Sequence, residues 1–189
     1  FLEKPAEPPG MPDNPEYSLV SMGVYIFQAK TLVQEVIADS KNADSQHDFG
    51  RNIIPQMVGN KKVFAYPFQD QETGEPSYWR DIGQLDAYFT AHQDLVGPQA
   101  SFNLFDEEWP LRGYVVPTPP ALFRGRKLEI SDSLIAEGCV LEEAGVRSSV
   151  LSPGVQVGRR ADVEEAILWD KVSLGAGAKV RRAVIGDGG

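Results

Sequence analysis

Residues 150–180, VLSPGVQVGRRADVEEAILWDKVSLGAGAKV, place apolar side chains at regular intervals of six and five. The series begins upstream and runs through Leu128, Leu134, Val140, Val146, Leu151, Val157, Val163, Leu168, Leu174 and Val180. Every step in it is six residues, except two steps of five after Val146 and Val163. A second series with the same period contains Val155, Ala161, Ile167, Val172, Ala178 and Val184.

This spacing matches neither the 3.6-residue period of a helix nor the two-residue alternation of a strand. It is typical of a triangular parallel β-helix, in which each flat side takes about six residues and points one apolar residue inward. Turns between the sides are predicted at Gly154, Gly158, Gly175 and Gly177, where a side chain would crowd the corner. A β-sandwich with irregular turns is the alternative, and it does not explain why two series slip together.

Net charge, apolar runs and the few cysteine and histidine residues argue against several classes of partner and site. The 189 residues carry a formal net charge of −9, which argues against electrostatic binding to nucleic acid. No apolar run is long enough to cross a bilayer, so no membrane partner is expected. The single cysteine, Cys139, fits a reducing cytoplasm, and two histidines, His47 and His92, are too few for a histidine-based zinc site.

The first half alternates predicted strands and helices. The apolar run at residues 19–27 predicts a strand that is buried on both faces, and residues 63–68 predict another strand. Helical spacing predicts helices over residues 29–38 and 84–95, with a short helix around Ile53, Ile54 and Met57 between them. Ser45 and Asp48 are predicted to form a capping box for this short helix. The alternation predicts an α/β layer with a mainly parallel sheet.

A proline-rich connector follows the α/β half. We predict domain boundaries at 1–97, 98–125 and 126–189, in which the connector packs on the first half through Phe102, Leu104, Phe105 and Trp109. Because the first residue, Phe1, is not methionine, the chain is expected to be a fragment of a longer one.

Four motifs occur in order in the first half: FLEKP at 1–5, SMGVYIF at 21–27, HDFGRNIIP at 47–55 and YWRDIG at 78–83. GCVL at 138–141 and SVLSPGVQVG at 149–158 follow in the predicted β-helix. Together they closely resemble the glucose-1-phosphate adenylyltransferase family over essentially the whole chain. The resemblance implies the sugar-phosphate half of a Rossmann-like nucleotidyltransferase domain, followed by a left-handed parallel β-helix of hexapeptide repeats.

The family joins glucose 1-phosphate to ATP, giving ADP-glucose and pyrophosphate, with Mg²⁺ bridging the charges. Its glycine-rich nucleotide loop and a catalytic aspartate of its first half have no counterpart in this chain. The resemblance therefore implies that ATP is bound mainly by a missing N-terminal part, and that this fragment alone is inactive. It also implies assembly through the β-helix into a homo-oligomer, a tetramer by family analogy, with allosteric control.

The resemblance also implies roles for individual residues. Lys4 corresponds to the lysine that contacts the phosphate, and Glu3 and Ser21 correspond to sugar contacts. Asp81 corresponds to the catalytic aspartate that helps hold magnesium, and Trp79 is expected either to wall the sugar pocket or to be core.

Each of these residues also has a purely structural interpretation. Glu3 and Lys4 form an exposed ion pair at a chain end, Ser21 is a satisfied core hydroxyl, and Asp81 caps the helix predicted from residue 84. Arg80 is expected to be an ion-pair partner, and Trp169 is expected to be an outward anchor on the β-helix or an interface residue. The pairs Arg159–Arg160 and Arg181–Arg182 are solvated corners or, in the rival interpretation, a site for an anionic regulator.

Other functions remain open at this point. A non-catalytic regulatory or assembly subunit would keep the β-helix and lose the chemistry, and a nucleotidyltransferase for another sugar, such as mannose 1-phosphate, would keep both. An acyltransferase built on a hexapeptide β-helix generally uses a histidine on the coil as base, and residues 126–189 contain none.

Overall fold

The computed structural model describes residues 1–11, 14–97, 100, 102–113 and 117–186. The chain forms two compact units, Phe1–Trp79 and Arg80–Gly189. This division lies upstream of the domain boundaries expected from the sequence, which stay a prediction.

The first unit is built around helices. Helix α1 spans Ala29–Asp39, and a π-helical turn at Phe49–Ile53 continues into helix α2, Ile54–Asn60. Ile53, Ile54 and Met57 are buried, as the short-helix pattern predicts. The capping box is wrong in detail: Asp48 is itself the N-cap and accepts the Arg51 backbone N–H at 2.8 Å.

The parallel sheet predicted for the first half is not formed in the described part of this unit. Residues 19–27 and 63–68 form no strand there, and one isolated bridge joins Gln69 to Pro76. Val20, Ile26 and Phe64 are 72%, 98% and 84% exposed. A strand is fixed by the neighbour that pairs with its backbone, and these runs have no such neighbour among the described residues.

The second unit is a parallel β-helix with helix α3, Leu85–Gln93, against it. Its strands are β1 Leu122–Arg124, β2 Glu129–Ser131, β3 Leu134–Ile135, β4 Val140–Glu142, β5 Gly145–Arg147, β6 Val150–Leu151, β7 Gln156–Val157, β8 Asp162–Leu168, β9 Ser173–Leu174 and β10 Lys179–Ile185. The first side of the coil stacks β1, β4, β7 and β9. The second stacks β2 and β5 on the first halves of β8 and β10, and the third stacks β3 and β6 on their second halves.

Stacking in register builds the core of this unit. Val146, Val163 and Val180 pair directly along the second side, so that one full turn takes 17 residues there. Each side buries two residues two positions apart, and the first of them is the smaller one except where Val155 precedes Val157. The second residues of these pairs are Leu141, Val146, Leu151, Val157, Val163, Leu168 and Leu174, and the first are Cys139, Ala144, Ser149, Val155, Ala161, Ala166 and Val172. The predicted β-helix is confirmed.

The predicted series was out of phase in the first turn. Leu141, fully buried, occupies the inward position that the sequence pattern gave to Val140, and Ile135 replaces Leu134 in the same way. The reason is a short corner, because the step from Leu141 to Val146 is five residues and not six. Ile167 lies between Ala166 and Leu168, whose side chains both point into the coil. Its own side chain therefore points outward from the coil, although it is buried.

Glycine serves two different purposes at the corners. Gly154 adopts a φ of +78°, which L-residues rarely adopt, whereas a Cβ on Gly158 would lie 2.9 Å from the Ala176 nitrogen. Several other corners have positive φ without glycine, including Glu165 at 47° and Arg182 at 46°, where β8 and β10 bend between two sides.

Two large side chains of the proline-rich segment before β1 are exposed. Phe105 and Trp109 are each 78% exposed, so these two residues do not pack as the sequence interpretation expected.

Candidate active site

Ser21 lies on an exposed turn and not in a core, which contradicts its structural interpretation. Its Oγ is 3.0 Å from the Tyr25 hydroxyl and accepts the Gly23 backbone N–H at 3.3 Å. Gly23 has a φ of +72°, so the chain doubles back here and directs both hydroxyls to one place.

An aromatic cluster continues from Tyr25. Its ring stacks on that of Phe49 with centroids 6.3 Å apart, and Phe27 lies 6.2 Å from Tyr25 and 6.0 Å from Phe49. Offset aromatic faces of this kind suit the C–H face of a sugar ring. The cluster joins residues of the SMGVYIF and HDFGRNIIP motifs.

Two carboxylates flank Gly50, the residue after Phe49. A side chain on Gly50 would overlap Glu3 Oε2, and its Cβ would lie 3.4 Å from Asp48 Oδ1. The absence of a side chain therefore lets the Glu3 carboxylate approach the backbone of the π-helical turn. Glu3 therefore lies against this turn, whereas the structural interpretation expected only an exposed ion pair at a chain end.

Lys4 is exposed beside Glu3. Its Nζ is 3.9 Å from Glu3 Oε1, its side chain is 85% exposed, and its φ is +46°. An exposed ammonium beside a carboxylate in such a long contact is available to an anionic ligand.

A buried carboxylate holds the loop that carries Asp48 and Phe49. Asp39, 4% exposed at the end of α1, accepts a hydrogen bond from Ser45 Oγ at 2.6 Å and contacts His47 Nδ1 at 2.8 Å. These bonds, first that from Ser45 and then that from His47, lower the pKa of Asp39. The loop is thus tied to α1 on one side and opens its other side to Glu3.

Asp81 belongs to the second unit, and its role as a helix cap is wrong. The N-cap of α3 is Gln84, whose side chain makes no capping hydrogen bond. The Asp81 carboxylate has no hydrogen bond or ion pair within the described ranges, and it lies 3.5 Å from the position of a Cβ on Gly83. A carboxylate left unpaired in this way is available to a cation.

Arg80 is the ion-pair partner that the sequence interpretation expected. Its Nε and NH2 groups lie 2.7 and 2.6 Å from Asp94 Oδ2. Trp79, the last residue of the first unit, is 42% exposed and is therefore not core.

Three arginines of the basic pairs on the β-helix, namely Arg159, Arg181 and Arg182, have structural partners. Arg181 Nε lies 3.2 Å from Glu164, Arg159 Nε lies 3.8 Å from Glu142, and the Arg182 guanidinium lies over the Phe89 ring. These contacts favour the structural interpretation of the pairs over a regulator site.

The structure brings some of the predicted site residues together. Glu3 lies at Gly50, with Lys4 beside it. Gly50 is adjacent to Phe49, which stacks on the Tyr25 ring, and the Tyr25 hydroxyl meets Ser21. Sequence reasoning missed Tyr25 and Phe49 as neighbours of the site, although both lie in motifs already singled out. The approach of Asp81 to these residues stays a prediction.

Mg²⁺ is compatible with the donors present. In the part of the chain that the structure describes, no three His, Cys, Asp or Glu side chains group as a complete metal cage. Mg²⁺ needs no such cage, because it is commonly held by one or two carboxylates with phosphate oxygens and water. Asp81 fits that arrangement as one carboxylate.

Comparison with known families gives two matches. Residues 1–97 match the nucleotidyl transferase family, and residues 119–188 match the GlmU-like C-terminal hexapeptide family. Among the described helices, none has the length and apolar character needed to span a membrane.

Curated relatives agree with these matches. Glucose-1-phosphate adenylyltransferases from Rhodopirellula baltica and Methylococcus capsulatus are each 39% identical over 100% of this chain, and one from Hydrogenovibrio crunogenus is 41% identical over 100%. The chain spans 44% of the first relative and 45% of each of the other two. It is thus similar to somewhat less than half of each.

Proposed function

Because this chain belongs to the nucleotidyl transferase family, we propose that it is part of an enzyme that forms ADP-glucose and pyrophosphate from ATP and glucose 1-phosphate. The observation that carries the proposal is the cluster around Gly50, where Glu3, Lys4 and the Tyr25–Phe49 stack adjoin. It combines the three kinds of group that recognise a phosphorylated sugar: hydroxyl acceptors, a cation and an aromatic face.

Each residue then has a role in binding the sugar phosphate. The Lys4 ammonium binds the phosphate, the Glu3 carboxylate accepts hydrogen bonds from sugar hydroxyls, and Ser21 exchanges a hydrogen bond with the sugar. Trp79 provides an exposed wall of the sugar pocket. Fixing the sugar phosphate in this way presents its phosphate oxygen to the α-phosphorus of ATP, since such transfer depends on positioning and charge neutralisation.

Asp81 is the proposed catalytic carboxylate and magnesium ligand. Mg²⁺ supplies positive charge that neutralises the phosphates during transfer. ATP binds mainly to groups outside this chain, and the fragment alone is expected to be inactive. We further propose a homo-oligomer assembled through the β-helix, because the open edge of β1 is a template for another chain.

Binding of glucose 1-phosphate to this chain tests the proposal at the residues that carry it. In an NMR titration, we expect amide shifts at residues 3–4, 21–25 and 48–50. Lys4→Ala is expected to weaken binding roughly ten- to hundredfold, since a charge-assisted contact contributes roughly 1.5–3 kcal/mol. Lys62→Ala, which removes another exposed ammonium of the same unit, is the matched control and is expected to change nothing.

Mannose 1-phosphate and glucose 6-phosphate separate the alternatives. Preference for glucose 1-phosphate supports the proposal, and tighter binding of mannose 1-phosphate would favour a nucleotidyltransferase for that sugar. Shifts confined to the β-helix, with none near Gly50, would favour a non-catalytic assembly subunit.

A further inference from the structure

Helix α3 links the segment that carries Asp81 to the β-helix. It belongs to the same compact unit as the coil and contacts strand β8. Asp81 precedes the helix by four residues, and Asp94 follows it directly as the C-cap. The helix therefore has one connection to the coil and another to the neighbour of Asp81.

The connection to the coil is a hydrogen bond between two aromatic side chains. Trp169 Nε1–H, just after β8, donates to the Tyr88 hydroxyl at 3.0 Å, and the two rings meet edge-on with centroids 6.3 Å apart. Ile167, on the outer face of β8, is only 1% exposed. The pairing sets the register of α3 against the coil at Trp169, because apolar contact alone would let the helix slide.

A second contact comes from the bend in β10. Arg182 has a φ of +46° at the corner between two sides, and its guanidinium lies 6.0 Å from the centre of the Phe89 ring. Phe89 follows Tyr88 in α3, so both consecutive aromatic residues of the helix are held by the coil. A cation over an aromatic face adds a modest attraction at this distance.

The connection to the catalytic segment lies at the other end of α3. Asp94 is an acid at a helix C-terminus, a position that the helix dipole disfavours. Its side chain is only 16% exposed and accepts both the Nε and NH2 hydrogen bonds of Arg80. The guanidinium offsets the unfavourable charge, and the pair fixes the backbone immediately before Asp81.

Asp81 itself has no such anchor. Because its carboxylate has no partner in the described part of the chain, its position depends on the neighbours that hold its backbone. We infer that the β-helix positions the Asp81 carboxylate through α3, with Trp169, Tyr88, Asp94 and Arg80 as positioning residues. The inference rests on the proposed function of Asp81 and assigns to the coil a part in the reaction at this carboxylate.

Hydrogen exchange tests whether the coil holds α3 in place, without any measurement of activity. Tyr88→Phe removes the hydrogen bond to Trp169 and keeps the ring, so the amides of α3 and residues 82–84 are expected to exchange about fivefold faster, as the loss of one net hydrogen bond implies. Tyr66→Phe, which alters a 76% exposed tyrosine of the first unit, is the matched control. Unchanged exchange over residues 82–95 in Tyr88→Phe would overturn the inference.

The Mg²⁺ dependence of the reaction tests whether α3 positions the Asp81 carboxylate. It is measured in the gene product that contains this chain. Asp94→Asn is expected to raise the Mg²⁺ concentration for half-maximal velocity about tenfold and to leave the KM for glucose 1-phosphate within twofold. Asp86→Asn, an exposed acid of the same helix, is expected to change neither value. Arg80→Lys keeps the charge but loses the second nitrogen that contacts Asp94. Its Mg²⁺ concentration for half-maximal velocity is expected to lie between those of the wild type and Asp94→Asn.

Asp81→Asn distinguishes the proposed role of Asp81 from the positioning of Asp81 by α3. If it abolishes turnover while Asp94→Asn leaves the metal dependence unchanged, the proposed function stands and the positioning by α3 is overturned. If Asp81→Asn leaves turnover unchanged, the proposed role of Asp81 fails, and the catalytic part of the inference fails with it.

Discussion

Asp39 is the residue whose charge holds the loop beside the proposed sugar site. Hydrogen bonds from Ser45 and His47 lower its pKa from the ordinary value of 3.8. A carboxyl with a lowered pKa in the folded chain stabilises the fold above its unfolded pKa, and this contribution is lost as the pH falls through the folded pKa.

We therefore predict a pH-dependent effect of Asp39→Asn. At pH 7 the variant is expected to have a lower Tm for the first unit than the wild type, and the difference is expected to shrink as the pH falls below about 3.8. Thermal unfolding at a series of pH values measures this, with the exposed Asp44→Asn as control. A difference that stays constant down to pH 2 would contradict the assigned charge state.

At the residue scale, the motifs predicted which residues matter better than what they contact. Glu3, Ser21 and Asp81 were selected from short motifs, yet the position of Glu3 over Gly50 depends on a contact 47 residues away along the chain. Ser149 received no role from its sequence, although its buried Oγ donates to the Arg147 carbonyl and accepts the Ala166 N–H. Such pairs depend on the register of the coil, which one residue type cannot reveal.

At the scale of elements, the period of the coil could be predicted from the sequence because each turn repeats the same packing requirement. The phase of its first turn was not, because the short corner between Leu141 and Val146 carries no distinctive residue. The apolar runs at 19–27 and 63–68 were misread for another reason. Composition reveals that a segment suits burial, but the partner that buries it lies elsewhere.

The shift in phase gives a sharp comparison between two adjacent residues. Leu141→Ala is expected to destabilise the β-helix by about 2–5 kcal/mol, because its side chain is fully buried and leaves a cavity. Val140→Ala, on a half-buried outward position, is expected to cost under about 1 kcal/mol. Urea denaturation of both variants measures this, and equal losses would restore the phase that the sequence pattern suggested.

At the scale of the whole molecule, the two units differ in how they satisfy their apolar residues. The β-helix buries them by stacking its own turns, whereas the first unit leaves several large apolar side chains exposed. The chain spans less than half the length of the relatives it matches.

The exposed residues predict an unusual tolerance to polar substitution. Ile26→Ser is expected to change the stability of this chain by less than about 0.5 kcal/mol, since the side chain is 98% exposed, and to lower the binding of a hydrophobic dye. Leu168→Ser, in the coil core, is the contrasting variant and is expected to be strongly destabilising. A large loss of stability in Ile26→Ser would mean that residues 19–27 are buried after all.

The central claim is that this chain supplies the sugar-phosphate site of an enzyme that forms ADP-glucose. The most direct measurement is the formation of ADP-glucose from ATP and glucose 1-phosphate, with Mg²⁺ present, by the gene product that contains residues 1–189. We predict turnover, and a KM for glucose 1-phosphate that Lys4→Ala raises about tenfold or more while the KM for ATP stays nearly constant. No ADP-glucose from the wild-type protein, or a Lys4→Ala variant with an unchanged KM for glucose 1-phosphate, would contradict it.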